Sequence, residues 1–119
     1  MALSLSSAGI ETILIPDSSV FALMSRVTKV VLGTHAVLAD GSLLSISGSL
    51  PICRAAKAHL VPVMVCTGMY KVCPLFLGDD VSLLDEGSPE EVGDVVGDVR
   101  NPYFDRVPGD LISLLITNK

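Results

Sequence analysis

The stretch Ser47-Gly48-Ser49-Leu50-Pro51-Ile52-Cys53-Arg54-Ala55-Ala56-Lys57-Ala58-His59-Leu60-Val61-Pro62-Val63-Met64-Val65-Cys66 decides the fold class. Its first part reads as a helix opened by Ser47-Gly48-Ser49. Pro51 falls in the first turn, where a missing N–H costs nothing. Ile52, Ala55, Ala56 and Leu60 recur at helical spacing on one apolar face, with Arg54, Lys57 and His59 mostly outside it. From Val61 to Cys66 the chain is continuously apolar and strand-sized, with Pro62 allowed only near the strand's start or at an edge. Upstream, Lys29-Val30-Val31-Leu32, closed by Gly33, is a second strand expected to be buried on both faces. Strand, helix, strand in that order predicts a βαβ unit and a mostly parallel, Rossmann-like α/β sheet flanked by helices.

Working outward, Ile10-Glu11-Thr12-Ile13-Leu14-Ile15 reads as a further strand, ended by Pro16. Asp17, Ser18 and Ser19 are N-cap residue types, and Val20, Phe21, Leu23 and Met24 follow at helical spacing to about Ser25. Ala36 to Ala39 reads as a short turn, and Asp40-Gly41 as a tight-turn dipeptide. Thr67-Gly68 turns the chain out of the sheet. From Tyr70 to Gly87 the periodicity fails, with Gly78-Asp79-Asp80 as a surface loop. Ser88-Pro89-Glu90-Glu91 is a compact helix start, with Glu91 at the capping-box position. Arg100 to Asp105 is extended or turning, and Pro108-Gly109-Asp110 begins a last apolar stretch, Leu111 to Ile116. Residues 1–119 are expected to form a single domain.

The composition excludes several classes of function. Of 119 residues 50% are apolar and 18% charged, so a polar disordered tail is ruled out. Cysteines at 53, 66 and 73 form no C-x-x-C pair, which excludes a zinc ribbon or a disulfide scaffold. The two histidines, His35 and His59, fit no metal spacing, so no metal and no cofactor are expected. A formal net charge of −5 argues against direct nucleic-acid binding. No apolar run reaches the roughly 18 residues of a membrane helix, and Met1 to Gly9 lacks a basic leader region, so the expected location is cytoplasmic. The few charges must cover a chain with a mean hydropathy of +0.61. That surplus suggests a partner subunit or further chain over part of the surface, and hence self-association at micromolar concentration.

In an open parallel sheet, ligands sit beyond the carboxyl ends of the strands. Asp17, Gly33, Thr67 and Gly68 occupy those ends, and Gly48-Ser49 opens the helix that would point toward them. A carboxylate beside free helix N–H groups suits a sugar phosphate; alternatively, Asp17 simply caps its helix, and that is the expected outcome. Neither a dinucleotide nor a P-loop glycine fingerprint is present. Cys66 ends a strand near the rim, Cys53 falls on the helix, and the pairs Asp79-Asp80 and Glu90-Glu91 read as solvated faces. No set of nucleophile, base and orienting group can be assembled.

Specific residues carry a resemblance. Ala8-Gly9-Ile10-Glu11-Thr12, Phe21-Ala22-Leu23-Met24-Ser25-Arg26-Val27, Lys29-Val30, Gly33-Thr34 and Leu38-Ala39-Asp40-Gly41 resemble the beta-subunit family of eukaryotic translation initiation factor 2B. Ala55-Ala56-Lys57, Pro62, Val65-Cys66, Lys71, Phe104-Asp105, Val107-Pro108 and Leu111-Ile112 continue it over nearly the whole chain. The resemblance implies a regulatory, non-catalytic subunit of the guanine-nucleotide exchange complex that acts on initiation factor 2. Its expected partners are the other subunits of the complex and initiation factor 2 itself, in a homo- or hetero-oligomer. It also implies a C-terminal Rossmann-like domain shared with methylthioribose-1-phosphate and ribose-1,5-bisphosphate isomerases.

The alternative function is therefore isomerase chemistry using Asp17, which matches those enzymes' catalytic aspartate. Their Asn-Lys-Ile-Gly-Thr run is Ser45-Ile46-Ser47-Gly48-Ser49 here, so Ile46 replaces a cation, and their catalytic cysteine lies upstream. Both departures count against turnover, leaving Asp17, Gly33, Gly48, Ser49, Thr67 and Gly68 as a vestigial sugar-phosphate crevice. The resemblance further implies that the chain is a partial domain, with family strands before Ala8 and a family helix after Asn118.

Overall fold

A computed structural model describes residues 1–77, 85–94 and 96–119. The Gly78-Asp79-Asp80 loop and its acidic pair lie outside the described residues. Helix α3 (Ser49–Ala58) and strands β1 (Val30–Gly33) and β4 (Val63–Cys66) form the βαβ unit that the sequence predicts. β4 pairs in parallel with β1, and on its other side with β6 (Leu114–Ile116), giving the order β1-β4-β6. Three alanines and straight-chain residues favour α3 as a helix. Its Cys53, Ala55 and Ala56 are buried with Val30, Val63 and Val65 in one core. Pro62 stands just before β4, so it removes no ladder bond.

The opposite face of this sheet is barer. Val31 pairs with Met64, which pairs with Leu114, and these face away from the core with Ile116. Val31 is 60% and Leu114 51% exposed. The apolar surplus of the composition therefore has a location.

A second sheet adds to the expected architecture. β2 (Ala36–Val37), β3 (Leu43–Ile46) and β5 (Phe104–Val107) form an antiparallel sheet in the order β2-β3-β5. Ala36 to Ala39 is thus partly strand rather than turn. Asp40-Gly41 makes the bend between β2 and β3, with Gly41 at φ +79, a value that favours glycine. Buried Leu43 and Val107 join this sheet to the main core.

Several expected elements differ. Ile10 to Ile15 is not a strand: among the described residues it has no ladder partner, and Ile13 and Leu14 are 80% and 84% exposed. β-branched and apolar residues suit a strand, but backbone pairing is needed to make one. A short helix α1 (Ala2–Ser7), with no buried residue, precedes it. The helix expected after Pro16 is a composite: a 3-10 turn at Asp17–Ser19, α2 (Val20–Leu23), and a second 3-10 turn at Met24–Arg26. The helix start at Ser88 makes only a 3-10 turn, Pro89–Glu91. Ser88 does cap it by accepting from the Glu90 N–H. Glu91 turns instead toward Asn101 and Tyr103.

Leu60 is not on the buried face of α3. It lies one residue past the helix's last cap, at φ +56, and is 92% exposed.

Candidate functional site

The carboxyl ends of β1 and β4 and the N-terminus of α3 come from sequence-distant segments, and each is finished by a specific contact. Gly48, at φ +99, is the N-cap of α3 and has no capping side chain of its own. The cap comes from the second sheet. The Asp105 carboxylate on β5 accepts from the Gly48 N–H at 2.9 Å and from the Leu50 N–H at 3.1 Å. The register that sets Ser45 opposite Asp105 delivers it there. Pro51 has no N–H, and Ile52 already donates to the Gly48 carbonyl.

This geometry bears on the phosphate cradle expected at Gly48 and Ser49. A helix N-terminus attracts anions because its first N–H groups lack partners. Here one anion of the chain itself occupies two of them. Asp17 stands close by: its Oδ2 is 4.0 Å from where a Cβ on Gly48 would sit. An incoming phosphate there would face two carboxylates. Ser49 is buried, and its hydroxyl donates to the Ile46 carbonyl at 2.7 Å.

Asp17 does not cap its helical turn, since that turn has no side-chain cap. The cap expectation is corrected, because Pro16 rather than Asp17 stands at the cap position. Asp17 is left in the first turn with its carboxylate toward Gly48.

The other candidates stand at the carboxyl ends of β1 and β4. Gly33 lines an open cavity of about 400 Å³ with Thr34, His35, Ile46, Lys71 and Phe104. Thr67 instead ties β4 to β6, its N–H donating to the Ile116 carbonyl at 3.0 Å. Gly68 lies beneath the Tyr70 ring. The structure brings Gly48, Ser49 and Asp17 together, and the parallel register sets Gly33 opposite Cys66, next to Thr67 and Gly68 in the chain.

Three residues of the Gly33 cavity went unrecognised in the sequence. Lys71 Nζ donates to the Thr34 carbonyl at 3.0 Å, and the His35 ring packs on Phe104 with centroids 4.8 Å apart. Lys71 is 25 positions from Ile46 by numbering, so no local pattern joins them.

Nucleophilic chemistry has little to work with. Cys53 is fully buried, and burial pushes its thiol up, with the Asp105 charge adding to the shift. A thiol held protonated and covered is a packing residue. Cys66 is exposed at the end of β4. Among the described residues no three His, Cys, Asp or Glu side chains gather as metal ligands, and no helix is long and apolar enough to cross a membrane.

Comparison with known proteins places this geometry in context. The model of the initiation factor 2 subunit family matches residues 1–119. The translation initiation factor eIF2B subunit beta of Dictyostelium discoideum is 51% identical over 124 residues, covering 98% of this chain and 32% of the relative. The ribose 1,5-bisphosphate isomerase of Archaeoglobus fulgidus is 38% identical over 118 residues, covering 95% of this chain and 38% of the enzyme. Among solved structures, the tetrameric eIF2B-beta2-delta2 complex from C. thermophilum aligns with a TM-score of 0.75 at 31% identity, over 97% of this chain and 33% of that one. The chain therefore spans about a third of the length of the curated relatives it matches.

Proposed function

The chain belongs to the initiation factor 2 subunit family, and from that premise we propose that it is part of a beta-type, non-catalytic regulatory subunit of the guanine-nucleotide exchange complex of translation initiation. It works by contact with the other subunits and with initiation factor 2, in the cytoplasm, with no metal or cofactor of its own. The observation that carries the non-catalytic reading is Asp105 on the Gly48 and Leu50 N–H groups. The electropositive end that a sugar phosphate would use is already neutralised inside the chain.

A second reading, isomerase chemistry at Asp17, is favoured by one feature: that carboxylate points toward Gly48 without serving as a cap. Incubation with ribose-1,5-bisphosphate and with methylthioribose-1-phosphate separates the two. The expected result is no isomerisation. Turnover at about 1 s⁻¹ or more, lost in Asp17→Asn, would overturn the non-catalytic assignment. The subunit role is checked by sedimentation of the full-length subunit with its delta-type partner, where no complex formation would count against it.

A further inference from the structure

The segment Ser88-Pro89-Glu90-Glu91 makes only a 3-10 turn, and the proposed function gives it no task. Ser88 is the one Ser or Thr in the chain that proline follows. It is exposed, with extended backbone at φ −60 and ψ 135, and the turn after it holds no buried residue. An enzyme that needs this stretch straight has little packing to undo. The Ser88 hydroxyl is held only as an acceptor, from the Glu90 N–H at 3.3 Å.

A cation stands across from it. Glu86 bridges to Pro102 in antiparallel fashion, with the Tyr103 N–H donating to the Asp85 carbonyl at 3.0 Å and the Gly87 N–H to the Asn101 carbonyl at 2.6 Å. The Asn101 side chain adds a bond to the Ser88 carbonyl at 3.0 Å. Gly87 permits this close approach, since a Cβ there would lie 2.7 Å from both Asn101 Nδ2 and the Tyr103 ring. Two residues along the same register, Ser88 falls opposite Arg100, on the face that Glu86 shares. Arg100 reaches diagonally across that face to Glu86. Its Nε and Nη2 both donate to one oxygen, Glu86 Oε1. The Nη1 donors of the fork make no bond among the described residues.

We propose that Ser88 is a phosphorylation site and that Arg100 receives the phosphoryl group. A proline-directed serine kinase transfers the γ-phosphoryl of a nucleoside triphosphate to Ser88 Oγ. The bond from that phosphorus to the diphosphate breaks, the Oγ–P bond forms, and the hydroxyl proton passes to the kinase's base. The product carries roughly −1.5 to −2 charge at pH 7 and three acceptor oxygens, which suit a guanidinium. Glu90 and Glu91 follow directly and oppose the new charge. Glu91 is turned toward Asn101 and Tyr103, and repulsion through water is screened, whereas Arg100 can bond the phosphate directly. Phosphorylation thus clamps residues 85–91 to 100–103, just ahead of β5 and the Asp105 that caps α3. This holds whether the chain is regulatory or catalytic.

Incubation of the 119-residue chain with a proline-directed kinase and ATP, read by mass spectrometry, tests the acceptor. Phosphate is expected on Ser88, and neither Ser88→Ala nor Pro89→Ala should take it up. Phosphorus NMR titration of the modified chain tests the receiver. Arg100→Gln should raise the second pKa of the phosphate by about half a pH unit, and Arg100→Lys should recover only part of the difference, because lysine has no fork. No phosphate on Ser88, or equal incorporation into Pro89→Ala, overturns the proposal. A second pKa indifferent to Arg100→Gln overturns it equally.

Discussion

The two ends of α3 are finished in opposite ways. At the N-terminus the backbone takes a left-handed turn on Gly48, which accepts it freely, and a carboxylate from another sheet fills the exposed N–H groups. At the C-terminus the backbone takes a left-handed turn on Leu60, which accepts it badly, and the helix closes with its own carbonyls. The first end is built for stability and is sealed against ligands. The second gives up stability to hold an apolar side chain in water. Of the two, the second has the character of a contact surface, because a fold under no other demand would place glycine there.

The largest break in this comparison comes at the sealed end. Asp105→Ala removes two charge-assisted bonds and leaves two half-buried N–H groups, so urea unfolding should show a loss of about 2–3 kcal/mol. Asp105→Asn keeps an acceptor and should lose roughly half as much. A change under about 0.5 kcal/mol for the alanine variant would mean that the N–H groups find water as readily as the carboxylate.

At the open end the sign reverses. Leu60→Gly relieves the left-handed strain but loosens the unfolded chain, for a net gain of about 0.5–1 kcal/mol. A loss in the same assay would show Leu60 buried against something within the protomer, and the contrast between the ends would fail.

The Lys57–Asp110 pair beside that end is exposed on both sides, at 2.8 Å. Lys57→Ala should therefore cost no more than about 0.5 kcal/mol. The Lys57 hydrogen bond holds the Asp110 carboxyl below its ordinary 3.8. Its native form thus binds a proton less readily than the unfolded form does. Its small stabilisation is full above that value and fades as pH falls below it. Acid titration of the wild type against Lys57→Ala checks this, and identical profiles would remove the pair from the account.

The smallest effect is expected at Asp17. It caps nothing, so Asp17→Ala should change stability by less than about 0.5 kcal/mol in either direction. A slight gain would sharpen the comparison, because it would reveal repulsion between Asp17 and Asp105 at the sealed end.

What the sequence made legible followed the range of the forces involved. α3 and β4 could be read because Pro51, the alanines and the run Val63 to Cys66 act within a few residues of one another. The hairpin of β2 and β3 was signalled by Asp40-Gly41 between apolar residues, but Leu43 to Ile46 is short and went unread. Ile10 to Ile15 has a strand's residue types without a strand's partner among the described residues. Leu60 fits the helical period, and only Pro62 two positions on hints that the helix has already ended. At the site, Gly48 and Ser49 were visible as a helix opening, whereas Asp105 acts across 57 positions. Nothing in the pattern of Phe104 to Val107 shows which helix its aspartate will meet.

That separation has a consequence in time. A growing chain emerges N-terminus first, so α3 and both of the strands that flank it in sequence are made long before residue 105. Until Asp105 arrives, the first turn of α3 has water for its cap and frays. β5 must then find β3 across a large loop, which is a slow event for a chain of this size. The βαβ unit can collapse early, but the end of its helix is locked only after residue 105 has been synthesised.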